Sequence, residues 1–179
     1  MEQTNKTNVG LVYGVICGVA VIAFTIILYV LGVEWYTSPL AYVSFLIPIV
    51  VGFLGGIKQR TLQGGYITFK EALKTVFVIF IISIILDTIF SYVLLNVIDV
   101  PFREAIMQDA AIKMEKFLIK MGTPQDAIDK AMADFDNPDN FGPGKILLGV
   151  FFRMIGWFIV ALIIAAIIKK KRPEFENQI

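Results

Sequence analysis

Two ionisable side chains stand inside long apolar stretches of this 179-residue chain, Asp87 within residues 75–98 and Arg153 within residues 146–168. Charges in such stretches are costly to hold in hydrocarbon and invite a functional reading. Ser83 lies four residues before Asp87 and Ser91 four after, which places all three on one helical face. Thr88, Tyr92 and Asn96 form a second polar stripe, expected on the opposite side of that helix. Gly149 and Gly156 flank Arg153, and small residues there are expected to let another helix approach. At 1.5 Å per residue, Asp87 is about 16–17 Å from the end of its stretch and Arg153 about 10–11 Å from the matching end of its own. An arginine side chain spans the remaining gap of about 6 Å, so the two are expected to pair. The pair admits a structural reading, a buried salt bridge that fixes helix register. It also admits a functional one, a proton or ion relay or an anionic-substrate site at Arg153.

Much other chemistry is excluded. The chain has no histidine, which removes His-ligated zinc or haem and nucleophiles activated by histidine. Cys17 is the single cysteine, so neither an intrachain disulfide nor a cysteine metal cluster can form. Gly64-Gly65 reads as a turn, because no Lys-Ser/Thr follows in the phosphate-loop pattern. Asp134, Asp136 and Asp139 lack EF-hand spacing, and Pro138 interrupts them. No cofactor and no metal are expected. A net charge of +1 gives no ground for a nucleic-acid partner. The apolar stretches contain no paired carboxylates, and the chain is not expected to be an enzyme.

The elements that must position Asp87 and Arg153 follow from composition. The chain is 57% hydrophobic with a mean hydropathy of +0.75, well above the apolar share of soluble domains. Four stretches, 9–32, 39–57, 75–98 and 146–168, are long and apolar enough to cross a bilayer core. Backbone groups in hydrocarbon must be satisfied internally, so these are helices, and the alternation of a membrane barrel is missing. The first stretch is too long for a signal-peptide core and lacks a cleavage pattern, so it is expected to remain as a span. Nine basic residues, among them Lys58, Arg60 and Lys169 to Arg172, fall on the side of the two termini. That side is expected to be cytoplasmic, with residues 169–179 a basic tail. Trp35, Tyr36 and Tyr42 would mark the outer interface, Tyr66 and Phe69 the inner one.

Gly10, Gly14 and Gly18 recur every four residues in the first span, and Gly52, Gly55 and Gly56 end the second. Both sets are expected to serve close packing within the chain. Pro48 is expected to kink span two, and Thr68 with Glu71 forms a capping box that starts the helix leading into span three. Residues 99–144 lie outside the spans and carry nine acids against five bases. They read as two amphipathic helices, about 102–121 and 123–135, with Thr123 as N-cap and Pro124 at the first position. Their apolar residues, including Ile106, Met107, Met114, Phe117, Met121 and Ile128, are expected to cover each other or rest on the outer lipid surface. A partner-binding groove is the alternative. The fold expected is all-α, an integral four-helix transmembrane bundle with an extracytoplasmic helical hairpin between spans three and four.

The layout resembles the bacterial four-span membrane-protein family labelled domain of unknown function 4199. The resemblance rests on the glycine-bearing opening 8–14, on the segment 65–74 (Gly-Tyr-Ile-Thr-Phe-Lys-Glu-Ala-Leu-Lys), and on the outer helical segment before the last span with its basic tail. It covers about residues 5–172. It implies a bacterial inner-membrane protein and brings no activity with it. Function is therefore expected to be non-catalytic, a structural or interaction protein of the envelope. Its partners would be the bilayer and an envelope protein meeting the outer hairpin, with oligomerisation left open. The alternative is a small transporter or channel component using Asp87 and Arg153.

Overall fold

A computed structural model describes residues 8–135 and 142–172, with Asp134 and Phe135 by backbone alone. Asp136 and Asp139 lie outside the described residues. The elements are α1 (Val9–Leu31), α2 (Val33–Tyr36), a 3-10 helix (Pro39–Phe45), α3 (Leu46–Leu62), α4 (Phe69–Val93) running into a π-helical turn (Leu94–Ile98), α5 (Val100–Lys120), α6 (Gln125–Phe135) and α7 (Pro143–Ile168). Four segments are long and apolar enough to cross a membrane: α1, the 3-10 helix with α3, α4 with its π turn, and α7. The chain is thus an all-α bundle with the marks of a multi-pass membrane protein.

The helix ends obey local chemistry. Asn8 accepts from the Leu11 amide to cap α1, and Thr68 and Glu71 exchange both bonds of a capping box at α4. Asp99 accepts from the Phe102 amide, 2.9 Å away, to start α5. Gly122, at φ 73°, turns the chain after α5 where a side chain would be strained. Helix α6 starts after Pro124, whose carbonyl accepts from Ala127 and Ile128, one residue later than expected. Pro48 lies in the first turn of α3, and the chain changes from 3-10 to α geometry between Phe45 and Leu46. The expected kink is thus a change of helix type, placed where the proline ring crowds the carbonyl four residues back.

Helix α4 is central and packs against α1, α3 and α7. Gly10, Gly14 and Gly18 of α1 meet Val78, Ile82 and Leu86 of α4, one glycine for each turn of apolar side chains. Gly52 of α3 meets Phe80, Gly55 meets Ile79 and Tyr13, and Gly56 meets Ile168. Each missing Cβ lets a neighbouring helix close in. Gly149 and Gly156 differ. A Cβ at either would meet nothing within 4 Å, so they pack no helix among the described residues. The reason is rotational: α7 turns Trp157, Ala161, Ile164, Ala165 and Ile168 inward and leaves these glycines on another side.

The end of the bundle nearer the termini is clasped shut. Ile67 and Lys170 exchange two backbone hydrogen bonds of 3.0 Å, and Arg60 donates to the Ile168 carbonyl at 3.3 Å, satisfying an otherwise free helix-end acceptor.

At the other end, α5 is tied to α1 and α2. Tyr29 donates to Asp99 at 2.7 Å, and the Phe102 ring meets Tyr29 and Tyr36 edge-on at 4.7 and 5.5 Å. Thr37 donates to Asp109, while Lys113 lies 2.6 Å from the same carboxylate and donates to the Thr37 hydroxyl at 2.7 Å. No residue of α5 is buried. Met114, Phe117 and Met121 stay exposed, and of the described side chains of α6 Ile128 alone is enclosed. Among the described residues the two hairpin faces therefore cover each other only locally.

The Asp109 contacts set a pH response. The Lys113 hydrogen bond first, then the one from Thr37, hold the Asp109 carboxyl below its ordinary value. A carboxyl with a depressed folded pKa contributes stability above its unfolded value, about 3.9, and loses it as pH falls through the folded one. We expect amide-exchange protection of α5, corrected for intrinsic rates, to be flat from pH 7 to pH 5. It should fall only below pH ~4, and Asp109→Asn should lower it already at pH 7. Loss between pH 7 and pH 5 would contradict this clasp.

Candidate functional site

The inward face of α4 repeats at helical spacing through Val76, Phe80, Ser83 and Asp87. Helix α7 approaches that face, and Arg153 Nη2 comes to 2.9 Å from Asp87 Oδ2. The two sides of the pair differ in exposure, 12% for the Asp87 side chain and 46% for Arg153. A guanidinium carries five N–H donors. Among the described residues the Arg153 fork is engaged only by Asp87.

The pair borders a cavity of about 330 Å³. Ser83, Asp87 and Ser91 all line it, so the sequence stripe faces one space. Thr25 and Ser44 add hydroxyls, and Leu28, Tyr36, Tyr42, Phe45, Phe80 and Trp157 supply an apolar and aromatic wall. Trp157 stacks on Phe45 at 6.0 Å and tilts against Phe80 at 4.8 Å. Tyr42, 71% exposed, stands at the rim. Burial, and secondly the Asp87 charge, push the Tyr36 phenol up, so it presents a neutral hydroxyl.

The second stripe is not opposite the first. Thr88, Tyr92 and Asn96 line a groove of about 230 Å³ together with Ile146, Gly149 and Val150, and Ser91 and Arg153 border it too. Consecutive helical residues differ by about 100°, so a stripe starting at Thr88 neighbours one starting at Asp87. Arg153 therefore partitions two polar spaces. The Thr88 hydroxyl is buried there without a hydrogen-bond partner, and Gly149 widens the groove rather than packing a helix.

Toward the termini the cavity ends on Phe80. Beyond it the core is apolar: Val76, Ile79, Ala161, Ala165 and Ile168 are at most 1% exposed. Among the described residues Ser83 and Asp87 are the polar residues buried as a whole, and of Thr88 the hydroxyl is enclosed. The cavity is thus open at one end.

Residue types pointed to the stripe and the pair but not to the wall. Tyr36 and Tyr42 read from sequence only as interface markers. Trp157, four residues after Arg153 and so on the same face, was the available signal. No curated protein and no solved structure matches the chain. Residues 12–170 match the family described as Protein of unknown function (DUF4199), and the chain belongs to that family.

Proposed function

We propose that this is a non-catalytic binding protein of the bacterial inner membrane, with both termini cytoplasmic and the α5–α6 hairpin outside. In this reading its working part is the hairpin-end cavity, which retains a ligand and does not pass it across. The observation that carries the reading is the dead end. A conduction or relay path needs polar groups at successive depths, and the fully buried residues beyond Ser83 are apolar among the described residues. An enzyme is disfavoured because the cavity holds one carboxylate, Asp87, already paired to Arg153.

The test is native mass spectrometry of the protein extracted from its own membrane, beside flux assays in proteoliposomes. The wild type should carry a small-molecule adduct, and Ser44→Phe, which fills the cavity, should lose it while staying folded. No ion-coupled flux should appear. A flux abolished by Asp87→Asn would overturn this reading for a small transporter.

A second reading concerns the hairpin. Phe117 is 56% and Met121 67% exposed, on a helix held at its other half by Thr37 and Asp99. This favours an envelope protein meeting the free half of α5. Exchange of α5–α6 for an unrelated hairpin should then remove a crosslinked partner and leave the cavity adduct in place.

A further inference from the structure

We propose that the ligand of the hairpin-end cavity is an anionic amphiphile, with a phosphate or carboxylate head on Arg153 and an acyl chain along the aromatic wall. This rests on the binding reading above and names the chemistry it requires.

The two sides of the pair are unequally enclosed. Asp87 is the enclosed partner and its carboxylate is already used. Arg153 is the half-exposed partner, and most of its fork is unengaged among the described residues. What the pair presents to the cavity is therefore cationic and planar, the geometry that grips phosphate or carboxylate. Asp87 keeps the guanidinium in place and offsets its charge while the site is empty. A cationic ligand would meet the arginine first, and a neutral one would form no charge-assisted bond with its donors.

The apolar argument comes from the wall. Leu28, Phe45, Phe80 and Trp157 line the cavity with apolar and aromatic surface, which a free inorganic anion would leave largely unused. Its volume falls in the range of ordinary small-molecule sites. The groove on the other side of Arg153 supplies a lateral approach. It lies between α4 and α7 and is lined by Gly149 and Ser91. A head group can pass Ser91 to reach Arg153 while its chain remains in apolar surroundings.

Trp157 is a built-in reporter. The only other tryptophan, Trp35, is 48% exposed and does not line the cavity. A Trp35→Phe protein in phosphatidylcholine nanodiscs is titrated with chain-labelled (doxyl) phosphatidylglycerol, doxyl stearate or doxyl phosphatidylcholine. Trp157 quenching should saturate with an anionic label at a mole fraction roughly tenfold lower than with the zwitterionic one, the worth of one charge-assisted hydrogen bond. The ranking of phosphatidylglycerol against stearate tells a phospholipid source from a free fatty acid. The Asp87→Asn/Arg153→Gln double variant, neutral at both positions, should lose the preference, and Arg153→Lys should keep part of it. Equal quenching by all three labels, in wild type and double variant alike, would overturn the anionic head and leave the cavity reading standing. Displacement of bound label by millimolar inorganic phosphate would overturn the amphiphile. Quenching by no label beyond that of a protein with Ser44→Phe would overturn the inference and the cavity reading together.

Discussion

Arg153→Gln is expected to destabilise the protein by about 3 kcal/mol, and Asp87→Asn by only about 1 kcal/mol. The inequality follows from exposure. Removing Arg153 leaves an enclosed carboxylate, 12% exposed at the side chain, with no other ion-pair partner among the described residues. Breaking a buried pair in this way costs roughly 3–5 kcal/mol, and the low end applies because Arg153 is itself half exposed. Removing the Asp87 charge leaves a guanidinium with a long stem and open space on two sides, and arginine tolerates such sites by reaching toward water or head groups. The double variant should fall near Asp87→Asn. Reversible unfolding in mixed detergent micelles, followed by circular dichroism, gives the three values. Equal losses for the two single variants would mean that both charges are equally enclosed. Three unaltered stabilities would mean that the pair does not fix helix register.

Gly14→Ala should cost about 1–3 kcal/mol, the usual range for overpacking a close-packed face. The added Cβ would lie 2.8 Å from Ile82 Cβ. That atom is fixed to the α4 backbone and cannot swing away, so the helices must part. The substitution also removes the helix-propensity penalty of glycine, about 1 kcal/mol, which offsets part of the loss. Ile82→Ala in the same chain should recover most of it. Gly149→Ala and Gly156→Ala should be neutral or stabilising by up to about 1 kcal/mol, because only the propensity gain remains. The sign contrast separates packing glycines from those whose Cβ would meet open space. A destabilising Gly149→Ala in a membrane would show that a second copy or another helix covers that face.

The spans and the intramembrane pair were legible because their signals are one-dimensional. Apolar length marks a span, and a lone charge within it stands out. Depth counted along each helix then brought Asp87 and Arg153 within reach, and they lie at 2.9 Å. The glycine repeat at 10, 14 and 18 was legible as packing, since a period of four keeps one face. The same reasoning failed at Gly149 and Gly156, because spacing says that a face is small but not what faces it. The cavity was illegible for a related reason. Its wall is assembled from α1, α2, the 3-10 helix, α3, α4 and α7, and convergence of six elements leaves no local pattern. The hairpin was legible only as a choice, its apolar faces covering each other or resting on lipid; among the described residues Ile128 is enclosed while Phe117 and Met121 stay exposed.

The central claim is a cavity open at the hairpin end and sealed toward the termini. Cysteine accessibility tests it most directly, with Cys17→Ala removing the native thiol, which is fully buried. Ser44→Cys and Ser91→Cys line the cavity and should react with a membrane-impermeant thiol reagent added to intact cells. Ala161→Cys, at a position with no exposed surface, should stay unreactive in intact cells and in inside-out vesicles. Reaction of Ala161→Cys from the tail face, or of Ser44→Cys from that face alone, would contradict the account.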